Sequence, residues 1–171
     1  MLWGLESGSR KIMDSINKGI DFDKRMDILS YANKYNIWNF AFIFFGYPLE
    51  TKEVARMTIG MLCQNHKIIN SYGRSVFTMG KHAKLAQEPE KFGITKLYEA
   101  QDEFSPSLDF DCVGMTKQEL NEILNECKIK CFQYYENPLW MFLRFREWLF
   151  LYVDKYGVDW VSNYKVNLNE A

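Results

Sequence analysis

No stretch of this sequence is apolar for long enough to cross a bilayer. The two most apolar runs, residues 37–47 and 139–153, fall short of the ~20 residues a spanning helix needs. Arg144, Arg146 and Glu147 interrupt the second. No membrane association is expected. Charge of one sign is not in excess either: 21 Lys+Arg stand against 22 Asp+Glu, a formal net charge of −1. That balance lacks the basic footprint of a dedicated nucleic-acid binder, so no nucleic-acid partner is expected. The four cysteines, Cys63, Cys112, Cys127 and Cys131, include no CxxC pair, and His66 and His82 lie far from any paired cysteine. A zinc site therefore has no sequence support. The first residues, Met1-Leu2-Trp3-Gly4-Leu5-Glu6, show no basic n-region and no small-residue cleavage site. No secretory leader is expected, the cytoplasm is the expected compartment, and free thiols are the expected state of the cysteines.

What is present is ordinary globular material. Of 171 residues, 47% are hydrophobic and 25% charged, which excludes disorder as a global description. A chain of this length buries ~70% of its unfolded surface, enough for one core. No internal repeat and no Pro/Gly/Ser linker divides it.

The front half alternates strand and helix. Met1 to Leu5 is a short apolar run, and Glu6-Ser7-Gly8-Ser9 follows as a turn. Ile12, Met13 and Ile16 recur at helical spacing, with Lys18-Gly19 as the expected stop. A second helix from about Asp23 carries Met26, Leu29 and Ala32 on one side and ends near Asn36. Residues 37–45 are apolar on both faces except Asn39, as a parallel strand covered on both sides would be. Gly46-Tyr47-Pro48 breaks that run. A helix then opens at Glu50 or Thr51 and runs to about His66, with Val54, Met57, Met61 and Leu62 inward. A third strand is expected between Ile68 and Phe77. Crossovers this long imply parallel pairing, hence an α/β fold.

The back half changes character. Residues 79–107 read as irregular, with one short helix near Ala83 to Gln87. Thr116-x-x-Glu119 is a capping box, and Leu120, Ile123, Leu124, Cys127, Cys131 and Tyr134 form a helical stripe. Asn137-Pro138 separates that helix from a last one, which Gly157 closes. Asn163 to Ala171 is expected to be a frayed tail.

Two turns carry chemistry. Glu6-Ser7-Gly8-Ser9 joins a strand to a helix start, where backbone N–H groups and two hydroxyls favour a carboxylate or phosphate, and Glu6 suits ribose hydroxyls or an ammonium. A plain capping turn has the same spacing. Gly46-Tyr47-Pro48-Leu49-Glu50-Thr51 stands at the same edge of the sheet, the usual ligand edge, and also reads as a tight turn with a helix cap. Cys127 and Cys131 fall on an apolar stripe and read as core. Asp102, Glu103, Asp109 and Asp111 read as solvated charge, the aromatics from Trp140 to Tyr156 as core or interface. His66 and His82 lack an orienting neighbour in sequence, and no nucleophile–base pair emerges.

The ordered set Leu2-x-Gly4-Leu5-Glu6-Ser7-Gly8-Ser9, Asn17-Lys18-Gly19-Ile20, Phe42 to Thr51 and Leu85-Ala86-x-x-Pro89-Glu90-x-Phe92-Gly93-Ile94 resembles the radical S-adenosylmethionine (SAM) superfamily. The branch it resembles is the Fe–S oxidoreductases in which a cobalamin-binding domain precedes the barrel. The resemblance spans Leu2 to Ile94. It implies a partial (β/α) barrel, βαβαβ, over residues 1–95, followed by a mainly helical C-terminal extension (96–162) and a tail (163–171). It also implies that Glu6 reaches the SAM ribose or amino group, Ser7 and Ser9 help hold the methionine end, Lys18 pairs with its carboxylate, and Gly46 lets the backbone approach the adenine. Tyr72, Arg74 and Phe77 would stand toward the substrate.

The family's CxxxCxxC loop is absent, and Cys127-x-x-x-Cys131 has no third cysteine two residues later. A position where relatives can carry a polar ribose contact is Phe42. The resemblance thus implies a fragment, inactive alone, of a longer oxidoreductase or methyltransferase. Its 4Fe–4S ligands, and cobalamin where used, would lie outside this chain, and its partner is the remainder of the parent enzyme. Open sheet edges make homo-oligomers the second expected association. The alternative reading is a non-catalytic α/β module that binds a nucleotide or a partner through its aromatic C-terminal helices.

Overall fold

The computed structural model describes residues 1–99, 102, 104–135 and 146–157. A parallel three-stranded sheet, β1 (Leu2–Glu6), β2 (Phe40–Phe45) and β3 (Ser71–Val76), runs in spatial order β1-β2-β3. Helices α1 (Arg10–Ile16) and α2 (Arg25–Lys34) form the first crossover, and α3 (Lys52–Gln64) forms the second. The chain is mixed α/β, with the parallel pairing that the long crossovers require.

Side-chain alternation along β2 separates two faces. Ala41, Ile43 and Phe45 are buried against the helices, in one core with Leu5, Leu29 and Leu62. Phe40, Phe42 and Phe44 point the other way and begin a run of aromatic contacts that takes in Trp38, Tyr47 and Phe77. Phe42 is flanked in register by Gly4 on β1 and Gly73 on β3. A Cβ at Gly73 would stand 3.1 Å from the Phe40 ring, so the missing side chain leaves room for that ring. Apolar residues on both faces of β2 thus reflect two different coverings, aliphatic and aromatic.

Asn39, the one polar residue of that run, is fully buried. Its side chain accepts from Trp3 Nε1 at 2.8 Å and donates to Leu29 O at 3.0 Å and Ile68 O at 2.9 Å. One amide therefore ties β1, the first crossover and the second to the start of β2, which explains how a polar group is tolerated there.

Several boundaries differ from expectation. The stop of α1 is Asn17, left-handed at φ 51°, with its N–H on Met13 O at 3.1 Å; Gly19 lies beyond it. Asn tolerates that conformation and ends the helix early. In α3 the inward residues are Ala55, Thr58, Ile59, Met61 and Leu62, whereas Met57 is exposed. Gly8 lies against the backbone of Met57 and Thr58, and this contact turns the Thr58 side of the helix inward.

Residues 79–112 are less irregular than expected. They hold β4 (Met79–Gly80), α4 (Lys84–Gln87), a 3-10 turn (Pro89–Phe92), β5 (Ile94–Leu97), β6 (Ser107–Leu108) and β7 (Phe110–Cys112). β4 pairs with β6 and β5 with β7, both antiparallel. Strands of two to four residues are too short to show a period, so these pairs left no sequence signal. The boundary expected at residue 95 falls inside β5.

Helix α5 (Lys117–Phe132) begins at the anticipated capping box, with Thr116 and Glu119 each bonding the other's backbone. It packs on α3 through Lys52–Glu122 (2.6 Å) and Arg56–Glu126 (3.1 Å) and buries Ile123, Cys127 and Cys131. The next buried residue is Tyr135 rather than Tyr134, because the helical period ends with α5. Tyr135 donates to Leu62 O at 2.9 Å. Helix α6 (Arg146–Tyr156) brings the Phe150 ring edge-on to Trp38 at 5.9 Å and is followed by Gly157 at φ 86°. Asn137-Pro138, Trp140, Glu103 and the tail from Asn163 lie outside the described residues. Among the described residues no helix is long and apolar enough to cross a membrane.

Candidate functional site

The first candidate turn leaves β1 through a distortion. The β1–β2 register slips between Gly4 and Glu6, and Glu6 takes the left-handed conformation, φ 58°, uncommon for a residue with a side chain. Its Oε1 lies 2.7 Å from the place a Cβ on Gly4 would occupy, so the glycine makes room for the carboxylate. There Glu6 forms an ion pair with Lys18, which the early end of α1 has released from the helix. The Glu6 side chain is 12% exposed and that of Lys18 is 52% exposed, which leaves the pair open to solvent from the lysine side.

Behind the pair the turn is closed. Ser7 Oγ accepts from Ser9 N–H at 3.1 Å and contacts Thr58 Oγ1 at 3.2 Å, while Gly8 N–H donates to Thr58 Oγ1 at 2.8 Å. Ser7 and Ser9 are buried, and the Ser9 side chain does not cap α1. Arg25, also buried, donates through Nη1 to Leu5 O at 3.1 Å and Ser7 O at 2.6 Å, with its guanidinium 4.0 Å from the centre of the Phe22 ring. Burial, helped by the nearby Arg10, brings its pKa down to about 10. A cation bonded to two carbonyls fixes the turn from inside.

The second turn is built differently. Gly46 has φ 88° and donates its N–H to Glu50 Oε2 at 2.7 Å; Glu50 N–H returns to Tyr47 O at 2.8 Å. A Cβ on Gly46 would meet Leu120 of α5 at 3.1 Å. Glu50 is fully buried, and its Oε1 has no partner among the described residues. Burial pushes its pKa up to about 7, against the pull of the Gly46 and Tyr47 backbone N–H groups. Thr51 caps α3 by accepting from Val54 N–H at 3.4 Å. Tyr47 OH bonds Ser15 Oγ at 2.9 Å, joining this turn to α1.

Glu6, Ser7, Ser9 and Lys18 are thus gathered at the C-terminal end of β1, and Gly46 stands at the same end of β2. Only Glu6 and Lys18 present polar side-chain groups that can exchange a partner; Ser7, Ser9 and the Gly46 N–H bond inward or lie buried. Tyr72 and Arg74 face the helices rather than the opposite face: Tyr72 meets the Tyr135 ring edge-on at 5.1 Å, and Arg74 donates to Leu124 O. Alternation along β3 sends these positions to the side of Ile43 and Phe45. Phe77 is on the aromatic side, 5.1 Å from Tyr47 and 6.2 Å from Phe110. Asp111 accepts from Tyr98 OH at 2.7 Å, and His66 bonds Cys63 O at 2.9 Å. Among the described residues no group of three or more His, Cys, Asp or Glu could hold a metal ion.

Sequence reasoning missed Arg25, Thr58 and the inward turn of Glu50. Thr58 had a weak signal, a polar residue on a helix face otherwise apolar. A buried Arg bonded to carbonyls has none. No protein-family model matches the chain, and no curated protein matches it.

Proposed function

We propose that this chain is the SAM-orienting part of a radical SAM iron–sulfur enzyme, an oxidoreductase or methyltransferase with or without cobalamin, and that its three parallel strands belong to a partial (β/α) barrel. The observation that carries this reading is the Glu6–Lys18 pair at the carboxyl end of a parallel strand, the edge where such sheets bind ligands. The amino-acid end of SAM bears an ammonium and a carboxylate, and this pair is its charge complement: Glu6 takes the ammonium, and Lys18 takes the carboxylate. Ser7, Ser9 and Arg25 hold the turn in shape, and the left-handed backbone of Glu6 aims its carboxylate across Gly4. SAM held there would supply a carbon-centred radical when reduced by a four-iron cluster. The described residues do not fit such a cluster, so its ligands belong to the remainder of the parent, this chain's principal partner.

Sequencing the reading frame upstream of Met1 tests the assignment. An in-frame CxxxCxxC supports it; a stop codon with no such segment overturns it. Calorimetric titration with S-adenosylhomocysteine tests the site, and Glu6→Gln is expected to weaken binding about tenfold, the equivalent of one charge-assisted hydrogen bond.

A second reading, a non-catalytic α/β module binding a nucleotide or partner, is favoured by the inward commitment of Ser7 and Gly8, which leaves that turn few groups for a ligand. Among the described residues β1 and β3 have no further strand beside them, and with Leu2 and Val76 exposed these edges favour pairing with the parent or a second copy. Light scattering is expected to show species larger than a monomer at high concentration, and a clean monomer there counts against it.

A further inference from the structure

We propose that Cys63 and Cys131 form a peroxide-driven disulfide that staples α3 to α5. Three thiols meet where these helices pack: Cys131 Sγ lies 4.0 Å from Cys63 Sγ and 3.9 Å from Cys127 Sγ. Cys127 and Cys131 are fully buried, and Cys63 is the partly exposed member through which an oxidant enters.

Geometry selects the pair. Cys127 and Cys131 are one turn apart on the same helix, where Cβ atoms stand about 5–6 Å apart, whereas a disulfide wants about 3.5–4.5 Å. Joining them distorts α5. Cys63 and Cys131 face each other from two helices, and side-chain rotation brings their sulfurs toward the bonded distance of about 2.05 Å. The helices are already held in register on either side of the thiols, by Arg56–Glu126 and by Tyr135 OH on Leu62 O.

The chemistry closes with hydrogen peroxide as the two-electron oxidant. The Cys63 thiol gives up its proton and the thiolate attacks the peroxide; the O–O bond breaks, the sulfenic acid forms, and the departing hydroxide takes up that proton as one water. Cys131 then attacks the sulfenic sulfur, releasing a second water and leaving the S–S bond. Burial raises the Cys63 thiol above its ordinary pKa, opposed in part by its hydrogen bond with Cys131 and more weakly by Lys130, so the first step is slow at neutral pH. Cys131, more deeply placed, serves as the resolving thiol.

The test is peptide mapping of the intact chain after graded peroxide, with and without reductant. The expected product is a single linkage between the Cys63 and Cys131 peptides, a loss of two hydrogens in intact mass and a rise of several degrees in thermal midpoint that reductant reverses. Cys112→Ser is expected to keep the linkage, and Cys63→Ser to abolish it with the fold checked by circular dichroism. A Cys127–Cys131 linkage, an intermolecular product through Cys112, or Cys63 sulfinic acid without any cross-link overturns the proposal. Because the linkage map is read on the unsubstituted chain, it decides even where a variant fails to fold.

Discussion

The turns after β1 and β2 occupy the same edge of one sheet and solve the same chain-reversal problem, yet each handles its carboxylate in the opposite way. The first turn closes its backbone inward, on Thr58 and Arg25, and leaves the largely buried Glu6 paired with Lys18, the side from which solvent reaches it. The second brings its carboxylate inward, where Glu50 holds the Gly46 N–H and is itself buried. In the first the acid is available and the frame is fixed; in the second the acid is the frame. On the proposed function ligand exchange belongs to the first turn, while the second is a structural lock.

Gly8→Ala should break the comparison most severely. The added Cβ would lie 2.4 Å from Met57 O and 2.6 Å from Thr58 Cα, both backbone atoms, so the turn or α3 must move. The expected cost is about 3 kcal/mol or more, read as a loss of roughly 10 °C in thermal midpoint. Glu50→Gln tests the second turn. The Glu50 pKa is raised from its ordinary 4.5 to about 7, so the folded state keeps a proton that the unfolded chain gives up. Its contribution is full below about pH 4.5, is lost as pH rises to about 7, and then levels off. Denaturant titrations across that window should show a fall of about 3 kcal/mol, absent in the glutamine variant.

Glu6→Gly should separate function from stability in the first turn. Glycine relieves the left-handed backbone and is expected to leave stability unchanged or raise it by about 1 kcal/mol, while binding of S-adenosylhomocysteine is lost. The smallest effect belongs to Lys18→Met: a half-exposed pair contributes under about 1 kcal/mol to stability, so its loss should appear only as weaker binding that depends less on salt. Equal destabilisation by Glu6→Gly and Glu50→Gln would sink the division of labour between the two turns.

Much of the frame was legible in sequence because its signals are local. The apolar run before Gly46, the cap at Thr51 and the box at Thr116 each sit within one element and read directly. The candidate site was legible as a set of neighbouring residues and not as an arrangement. The motif put Glu6, Ser7, Ser9 and Lys18 together, but whether a hydroxyl faces solvent or Thr58 depends on how close α3 comes, and no spacing within the turn encodes that distance. The same limit hid Cys63 from Cys131, which meet only after two helices pack, and it put Tyr134 where Tyr135 belongs once the period ended.

Asn39 couples the three strands, so that the sheet comes apart together. Its amide is satisfied only when Trp3, Leu29 and Ile68 are all in place, so a chain with β1 undocked, or with the second crossover open, leaves a buried polar group short of a partner at about 1–3 kcal/mol. Partly assembled forms are penalised from both sides of β2 at once. The three strands should therefore gain and lose protection from hydrogen exchange as one unit, with the amides around Asn39 opening only when the whole sheet does.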